Sequence, residues 1–148
     1  MTIWFDMDGT IADLYAVASW LDKLRAENAE PYENAAVMLN MSRFARYLHQ
    51  VQAIGYKIGI ISWLSKVSSE EYSQKVTEAK LNWLKRHLPS VEWDEINIVD
   101  YGTPKFHFAT SENDILFDDE EKNRNQWGTG AFEPNFIFEI LRSIITAE

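Results

Sequence analysis

Residues 2–10 have the sequence TIWFDMDGT, in which a short apolar run ends at two carboxylates, Asp6 and Asp8. An apolar run that stops at a polar loop predicts a β-strand. A carboxylate directly after a buried strand has to be neutralised, hydrogen-bonded or metal-bound, because an isolated charge there is costly. This segment therefore predicts the first strand of the fold and a candidate site at its carboxyl end.

Three later apolar runs predict further strands, at residues 57–62, 95–100 and 114–118. The run Lys57–Ser62 is apolar rather than alternating, which is typical of a strand covered on both faces. Between the runs, apolar residues recur at helical spacing. Strands that alternate with helices favour a parallel sheet flanked by helices. We therefore expect an α/β fold of the three-layer, Rossmann-like kind.

Helix boundaries are predicted from apolar spacing and from capping residues. The first helix is expected from Asp13 to about Ala26, and the second is expected to begin at an N-cap, Ser42. A capping box at Ser68 predicts the start of the third helix. Pro134 suits the first turn of the last helix. A polar turn is expected between the fourth strand and Asn125.

The length of 148 residues suits a single domain that spans the whole chain. A formal net charge of -9 argues against a nucleic-acid polymer as partner, because phosphate backbones attract basic surfaces. The chain has no cysteine, which excludes disulfides, thiolate metal sites and thiol catalysis. No apolar run approaches the roughly 20 residues of a membrane span, and residues 1–6 lack the basic region of a signal peptide. We therefore expect a cytoplasmic protein without a membrane partner.

Polar side chains follow the predicted strands at four places: Asp6 with Asp8, Ser62, Lys105, and Asp118 with Asp119. The carboxyl ends of parallel strands form the ligand crevice of an open sheet, so these side chains should meet there. Four carboxylates in one crevice need a cation between them, and oxygen ligands without cysteine indicate magnesium. Together with a lysine and a hydroxyl, they supply the positioning and charge neutralisation that phosphoryl transfer requires. Lys122 is a rival cation, although its place after the last strand favours an exposed helix.

The same residues resemble the four motifs of the haloacid dehalogenase superfamily of phosphohydrolases. Phe5–Thr10 is similar to the first motif, Ile60–Ser62 to the second, Lys105 to the third, and Leu116–Asp119 to the fourth. The motifs follow the order of the superfamily and extend from residue 5 to residue 119. The resemblance implies a magnesium-dependent phosphatase that hydrolyses a small phosphate monoester through an aspartyl-phosphate intermediate.

The resemblance also implies a role for each matching residue. Asp6 would be the nucleophile, and Asp8 would be the general acid and then the general base. Magnesium would be bound by Asp6, by the main-chain carbonyl of Asp8 and by Asp118, with Asp119 acting through a metal-bound water or behind the ligands. The residues that bind the substrate phosphate would be Ser62, Lys105 and Gly9.

The segment from Asp13 to about Met41 is predicted to be a small helical cap inserted after the first motif. A short cap and the ending Asp118–Asn123 most resemble the 5'(3')-deoxyribonucleotidase-type branch, which implies a nucleoside monophosphate as substrate. Trp20, at helical spacing within the cap, is expected in the core. Trp63 follows the predicted site residue of the second motif in a loop, and is therefore a candidate substrate contact.

Two other classes of protein carry similar residues. A signalling receiver domain also has an acidic cluster, a hydroxyl and a lysine, but its acidic pair precedes the phosphorylated aspartate, so the order in this chain rejects it. A catalytically weak or inactive relative, used as a phosphate-binding or interaction module, remains the alternative. The sequence leaves open the physiological substrate, the oligomeric state and whether a neighbouring subunit completes the cap.

Overall fold

The computed structural model describes residues 1–147, and Glu148 lies outside the described residues. Its strands are β1 (Thr2–Phe5), β2 (Ala12–Asp13), β3 (Ala36–Val37), β4 (Lys57–Trp63), β5 (Glu95–Val99), β6 (Ile115–Phe117) and β7 (Ala131–Phe132). Five of them form one sheet in the order β5-β4-β1-β6-β7, in which every neighbouring pair is parallel. β2 and β3 pair with each other in antiparallel orientation. β1 is thus the central strand of the main sheet, with β4 and β6 on either side.

The α-helices of the described residues are α1 (Trp20–Arg25), α2 (Glu30–Asn34), α3 (Met41–Ala53), α4 (Glu70–His87), α5 (Glu121–Trp127) and α6 (Ile137–Ala147). Short 3-10 helices add single turns at Leu14–Ala16, Lys105–Phe108 and Pro134–Phe136. Across residues 1–147, no helix combines the length and the apolar character that crossing a membrane would require.

Side chains of β1 alternate between the two faces of the sheet, as they do in any strand. Ile3 and Phe5 belong to the main core, which includes buried residues of α3 and α6. Trp4 points to the opposite face, into a smaller cluster completed by Trp127 of α5. A Cβ on Gly59 of β4 would collide with the Trp4 ring, so only glycine leaves room for this indole. Helices therefore cover both faces, and the predicted α/β fold is confirmed.

The four predicted strands are present as β1, β4, β5 and β6, whereas β7 was not predicted. β7 consists of two half-buried residues, Ala131 and Phe132, which are too few to show a periodic pattern. The segment expected to be a polar turn before Asn125 instead forms α5, which begins at Glu121. That prediction was wrong.

Three predicted helix starts lie away from the observed ones. The first helix begins at Trp20 and not at Asp13, because Ser19 adopts a left-handed conformation with φ of 56°. α3 is capped by the side chain of Asn40, which accepts from the main-chain N–H of Arg43, and not by Ser42. α4 is capped one residue later than predicted, by Ser69.

The segment predicted as the cap contains β2, α1, α2 and β3, and it packs over the carboxyl end of the sheet near α4. Tyr32 of α2 is buried and its hydroxyl is hydrogen-bonded to Ser65 Oγ at 2.5 Å, in the loop after β4. The hydroxyl of Tyr72 in α4 donates to the main-chain carbonyl of Asn28 at 3.1 Å. These contacts join the segment to the loop after β4 and to α4.

The amino end of the sheet is held by Asp114, a residue that is 1% exposed. Its carboxylate accepts from the main-chain N–H of Thr2 at 2.8 Å, the indole N–H of Trp4 at 3.0 Å and the main-chain N–H of Thr110 at 2.6 Å. Burial alone would raise the pKa of this carboxyl, but the donors around it lower the pKa to about 2. Asp114 therefore connects β1 to the segment that precedes β6.

Candidate active site

The predicted site residues lie at the carboxyl ends of the three central strands. Asp6 and Asp8 follow β1, Ser62 lies near the end of β4, and Asp118 follows β6. Because the three strands are adjacent and parallel, their ends meet at one edge of the sheet. Lys105 reaches the same edge from the 3-10 helix after β5. The structure thus brings together residues separated by more than a hundred positions.

Lys105 is the buried centre of one group of hydrogen bonds. Its Nζ donates to Asp6 Oδ1 at 2.8 Å and to Asp118 Oδ2 at 2.7 Å. Burial opposes the charge of this ammonium, but the two carboxylates outweigh burial and raise the pKa of Lys105. The lysine therefore stays charged beside the predicted nucleophile, as a screen for its negative charge.

Asp119 lies on the other side of Asp6, against the backbone of Gly9. The hydroxyl of Thr10 donates to Asp6 Oδ2 at 3.1 Å and lies 3.5 Å from Asp119 Oδ1. Gly9 has φ of 81°, and a Cβ there would collide with the Asp119 carboxylate. Glycine is thus required at this position both for the backbone conformation and for space.

Asp118 is fully buried and braced from two further directions. The main-chain N–H of Glu120 donates to its Oδ1 at 2.9 Å, and Asn123 Nδ2 donates to its Oδ2 at 3.1 Å. Burial, together with the charge of Asp6, raises the pKa of both Asp118 and Asp119. The ammonium of Lys105 therefore does not fully offset burial and the repulsion among these carboxylates.

The donor set at this position fits a magnesium ion. Asp6, Asp118 and Asp119 can each offer one carboxylate oxygen, and these atoms lie within 4.8 Å of one another. A divalent cation between these three carboxylates would offset their mutual repulsion. Asn123 Oδ1 is also buried without a hydrogen-bond partner among residues 1–147. An unpaired buried carbonyl oxygen next to a carboxylate cluster is suited to a hydrated cation.

A second group of hydrogen bonds is centred on Lys80, which was not predicted as a site residue. Its Nζ donates to Asp8 Oδ2 at 2.9 Å, to Ser62 Oγ at 2.6 Å and to the carbonyl of Trp63 at 2.7 Å. The sequence does indicate that Lys80 is buried, because it lies four residues after Val76 and therefore on the same, buried face of α4. Lys122, the rival to Lys105, is exposed on α5.

Asp8 differs from the other carboxylates in having its own cationic partner. Burial raises the pKa of Asp8, the Lys80 ammonium lowers it and the negative charge of Asp6 raises it further, with a net increase. A raised pKa favours the protonated form of Asp8, which is the form that a general acid needs before it donates its proton.

A cavity of about 700 Å³ opens above these residues, a volume typical of a small-molecule site. Asp6, Asp8, Lys105 and Asp118 form its polar floor. Its walls are mainly apolar and aromatic, and they come from both the predicted cap and the core: Leu14, Tyr15, Trp20, Leu21, Leu24, Tyr32, Trp63, Leu64, Tyr72 and Tyr101. The cavity therefore combines a charged floor with a wall suited to an aromatic group.

Trp63 is one of the residues that connect the floor to the wall. Its indole N–H donates to the carbonyl of Thr103 at 2.8 Å, and its ring lies 4.9 Å from the ring of Tyr101. Lys105 Nζ lies 5.4 Å from the centre of the Trp63 ring. Trp20, expected in the core, instead lines the cavity and contacts Tyr15 edge to face. The Trp20 prediction was wrong because the helix that carries it covers the cavity.

The fold of this chain is similar to that of solved structures, whereas its sequence matches no family model. No protein-family model matches the chain, and no curated protein matches its sequence. Among solved structures, it is similar to D,D-heptose 1,7-bisphosphate phosphatase from Burkholderia thailandensis, with a TM-score of 0.51 and 12% identity over 84% of this chain and 69% of that one. The HAD domain of the effector protein Lem4 from Legionella pneumophila aligns over 99% of this chain and 95% of that one, with a TM-score of 0.46 and 16% identity. The first likeness confirms the Rossmann-like α/β fold.

Proposed function

We propose that this protein is a magnesium-dependent phosphatase of the haloacid dehalogenase superfamily. The observation that carries the proposal is the arrangement around Asp6. This buried carboxylate is held by Lys105 and Thr10 at the floor of a substrate-sized cavity, next to Asp118 and Asp119. Such an arrangement supplies a fixed nucleophile, a cation and a set of metal ligands within one crevice.

In the proposed reaction, a carboxylate oxygen of Asp6 attacks phosphorus and forms an aspartyl-phosphate. The bond between phosphorus and the leaving oxygen breaks, its electron pair goes to that oxygen, and Asp8 supplies the proton. Asp8 then accepts a proton from a water molecule that attacks the same phosphorus, which releases phosphate and restores Asp6. The raised pKa of Asp8 supports both proton transfers.

Magnesium would be held by Asp6, the main-chain carbonyl of Asp8 and Asp118, with Asp119 assisting through a water. When bound, it supplies positive charge that neutralises the phosphoryl oxygens and the crowded carboxylates.

The transferred phosphoryl group would be bound by Lys105, by the Ser62 hydroxyl and by the backbone at Gly9. The side chain of Ser62 is fully buried and its hydroxyl accepts from Lys80, so its own hydrogen is not used in that bond.

We further propose a nucleoside monophosphate as the substrate, as in the deoxyribonucleotidase-type branch. The aromatic wall of the cavity supports this choice, because every nucleobase offers a flat face for stacking. Trp63 lines the same cavity as Asp6, and its ring centre lies 5.4 Å from Lys105 Nζ. The segment Asp13–Met41 would act as the cap that discriminates among leaving groups.

The test is magnesium-dependent release of phosphate from a panel of monoesters, with nucleoside monophosphates set beside sugar phosphates and p-nitrophenyl phosphate. We expect turnover that EDTA abolishes and that Asp6→Asn lacks. The matched control is Asp22→Asn, which changes an exposed carboxylate on α1. Folded wild-type protein that releases no phosphate with magnesium would favour the alternative, a phosphate-binding or interaction module. Turnover of sugar phosphates alone would refute the nucleotide proposal and leave the phosphatase proposal standing.

A further inference from the structure

Lys80 is a buried ammonium that the proposed reaction leaves without a role. It lies in the middle of α4 and is only 1% exposed. Burying a lysine is costly unless its charge is paired and its hydrogens are all bonded. The partners of Lys80 are two predicted site residues, Asp8 and Ser62, and the main-chain carbonyl of Trp63.

The geometry separates Lys80 from the residues that would touch the substrate. A lysine ammonium has three hydrogens and accepts nothing. All three hydrogens point to protein acceptors, at 2.9, 2.6 and 2.7 Å, and the ring of Tyr32 lies 5.0 Å from the nitrogen. No hydrogen is left for a phosphoryl oxygen. Lys105, in contrast, lines the cavity.

The hydrogen bonds from Lys80 fix the orientation of the Asp8 and Ser62 side chains. The ammonium engages Asp8 Oδ2, and among the described residues no hydrogen bond engages Asp8 Oδ1. Oδ1 is therefore the atom free to carry the proton toward a leaving oxygen. The same ammonium donates to Ser62 Oγ, which leaves the hydroxyl hydrogen to point elsewhere.

We propose that Lys80 is a positioning residue, which holds Asp8 so that Oδ1 delivers its proton to the leaving oxygen. The inference rests on the proposed phosphatase function and extends it to a residue outside the superfamily motifs quoted above. When the proton leaves Oδ1, the P–O bond breaks, the leaving group departs as the neutral alcohol, and the new Asp8 carboxylate is paired at once with the ammonium. Lys80 therefore acts on the step in which the leaving group is protonated.

The experiment compares Lys80→Met with wild type on two substrates of similar size, phenyl phosphate and p-nitrophenyl phosphate. Phenolate is a poor leaving group that needs a proton, whereas p-nitrophenolate departs with little help. General acid catalysis contributes about 10²–10⁴-fold, so we expect kcat/KM for phenyl phosphate to fall by about 30-fold or more. The fall for p-nitrophenyl phosphate should be about threefold. The parameter kcat/KM is used because it reports the steps up to leaving-group departure, whereas kcat includes hydrolysis of the aspartyl-phosphate.

The controls separate positioning from support of the fold and from phosphate binding. Lys85→Met removes an exposed lysine from the same helix and should leave both substrates unaffected. Inhibition by orthovanadate, which occupies the phosphate site, should change by less than about threefold in Lys80→Met, since Lys80 has no hydrogen to give that site. Lys80→Arg is the second variant if the first does not fold. It keeps the charge, but its planar fork cannot repeat the three contacts, so it should show the same selective loss.

Three outcomes would overturn the inference. An equal loss on both substrates with weaker vanadate inhibition would make Lys80 a phosphate ligand. An equal loss with unchanged inhibition, or no loss on either substrate, would restrict Lys80 to holding α4 against β4. A wild-type protein inactive on both substrates would instead refute the proposed function, so the two failures are distinguishable.

Discussion

Replacing Asp114 by asparagine should destabilise the protein by about 2–4 kcal/mol at pH 7. The native pKa of about 2 lies below the ordinary value of 3.8. A difference of roughly 1.8 pKa units corresponds to about 2.5 kcal/mol in favour of the ionised carboxylate in the folded state. Asparagine lacks that charge, and its NH₂ group would face N–H donors such as those of Thr2 and Trp4, which adds a cost.

The stability difference should also depend on pH, with a sign that is set by the pKa of Asp114. Because the native pKa of Asp114 is depressed, its contribution is fully present above the unfolded value of 3.8 and is lost as the pH falls toward about 2. The stability difference between wild type and Asp114→Asn should therefore shrink from about 2.5 kcal/mol at pH 7 to roughly 1.3 kcal/mol at pH 3, leaving aside the pH-independent packing cost.

Urea denaturation followed by circular dichroism, at pH 7 and pH 3, measures this difference. The carboxylates of the candidate active site titrate in both proteins, so their effects cancel in the comparison. Asp22→Asn serves as control, since this exposed carboxylate should change stability by less than about 0.5 kcal/mol. Equal stabilities of wild type and Asp114→Asn at pH 7, or a difference that stays constant down to pH 3, would refute the reasoning.

Three further predictions concern the active site. Asp6→Asn should stay folded and lose turnover by about 10³-fold or more. Magnesium with beryllofluoride should raise the Tm of the wild type but not the Tm of this variant, and a thermal-shift assay on both proteins measures the difference. Asp118→Ala should raise the magnesium requirement more than Asp119→Ala does, because the second carboxylate is proposed to act through water; a magnesium titration with equal or inverted effects would exchange the two roles. Trp63→Ala should lower kcat/KM for a nucleoside monophosphate by roughly 5- to 150-fold, from about 1–3 kcal/mol of stacking, and should hardly change p-nitrophenyl phosphate; equal losses on both substrates would mean that Trp63 supports the end of β4 next to Ser62.

The centre of the sheet could be predicted because β1 and most of β4 are buried and are followed by, or end in, polar residues. Runs such as Lys57–Ser62 are visible in the sequence without knowledge of their neighbours. Parallel strands then bring their carboxyl ends to one edge, which is why Asp6, Asp118 and Lys105 could be expected near one another. These predictions needed only local patterns and one rule of topology.

The features that were missed depend on partners far away in the chain. Asp114 is a polar residue before a strand, and its burial becomes clear only with Thr2, 112 positions earlier. Lys80 was passed over because lysines are almost always exposed, although its place on the buried face of α4 contradicted that rule. Its acceptors come from the loop after β1 and from β4, so no local pattern in α4 could reveal them.

Boundaries in the cap were missed for a different reason. The left-handed conformation of Ser19 divides a segment whose apolar spacing predicted one helix, and spacing does not report backbone conformation. The consequence is functional, since the displaced helix α1 carries Trp20 over the cavity and not into the core.

Trapping the covalent intermediate tests the central claim most directly. The wild type and Asp8→Asn would be mixed with magnesium and p-nitrophenyl phosphate, quenched in acid and reduced with borohydride, which converts an aspartyl-phosphate into homoserine. Peptide mass spectrometry should find homoserine at position 6, only when substrate is present, and in greater amount in Asp8→Asn, because that variant lacks the base that hydrolyses the intermediate. Steady turnover without a trapped adduct, or an adduct on any residue other than Asp6, would contradict the proposed mechanism.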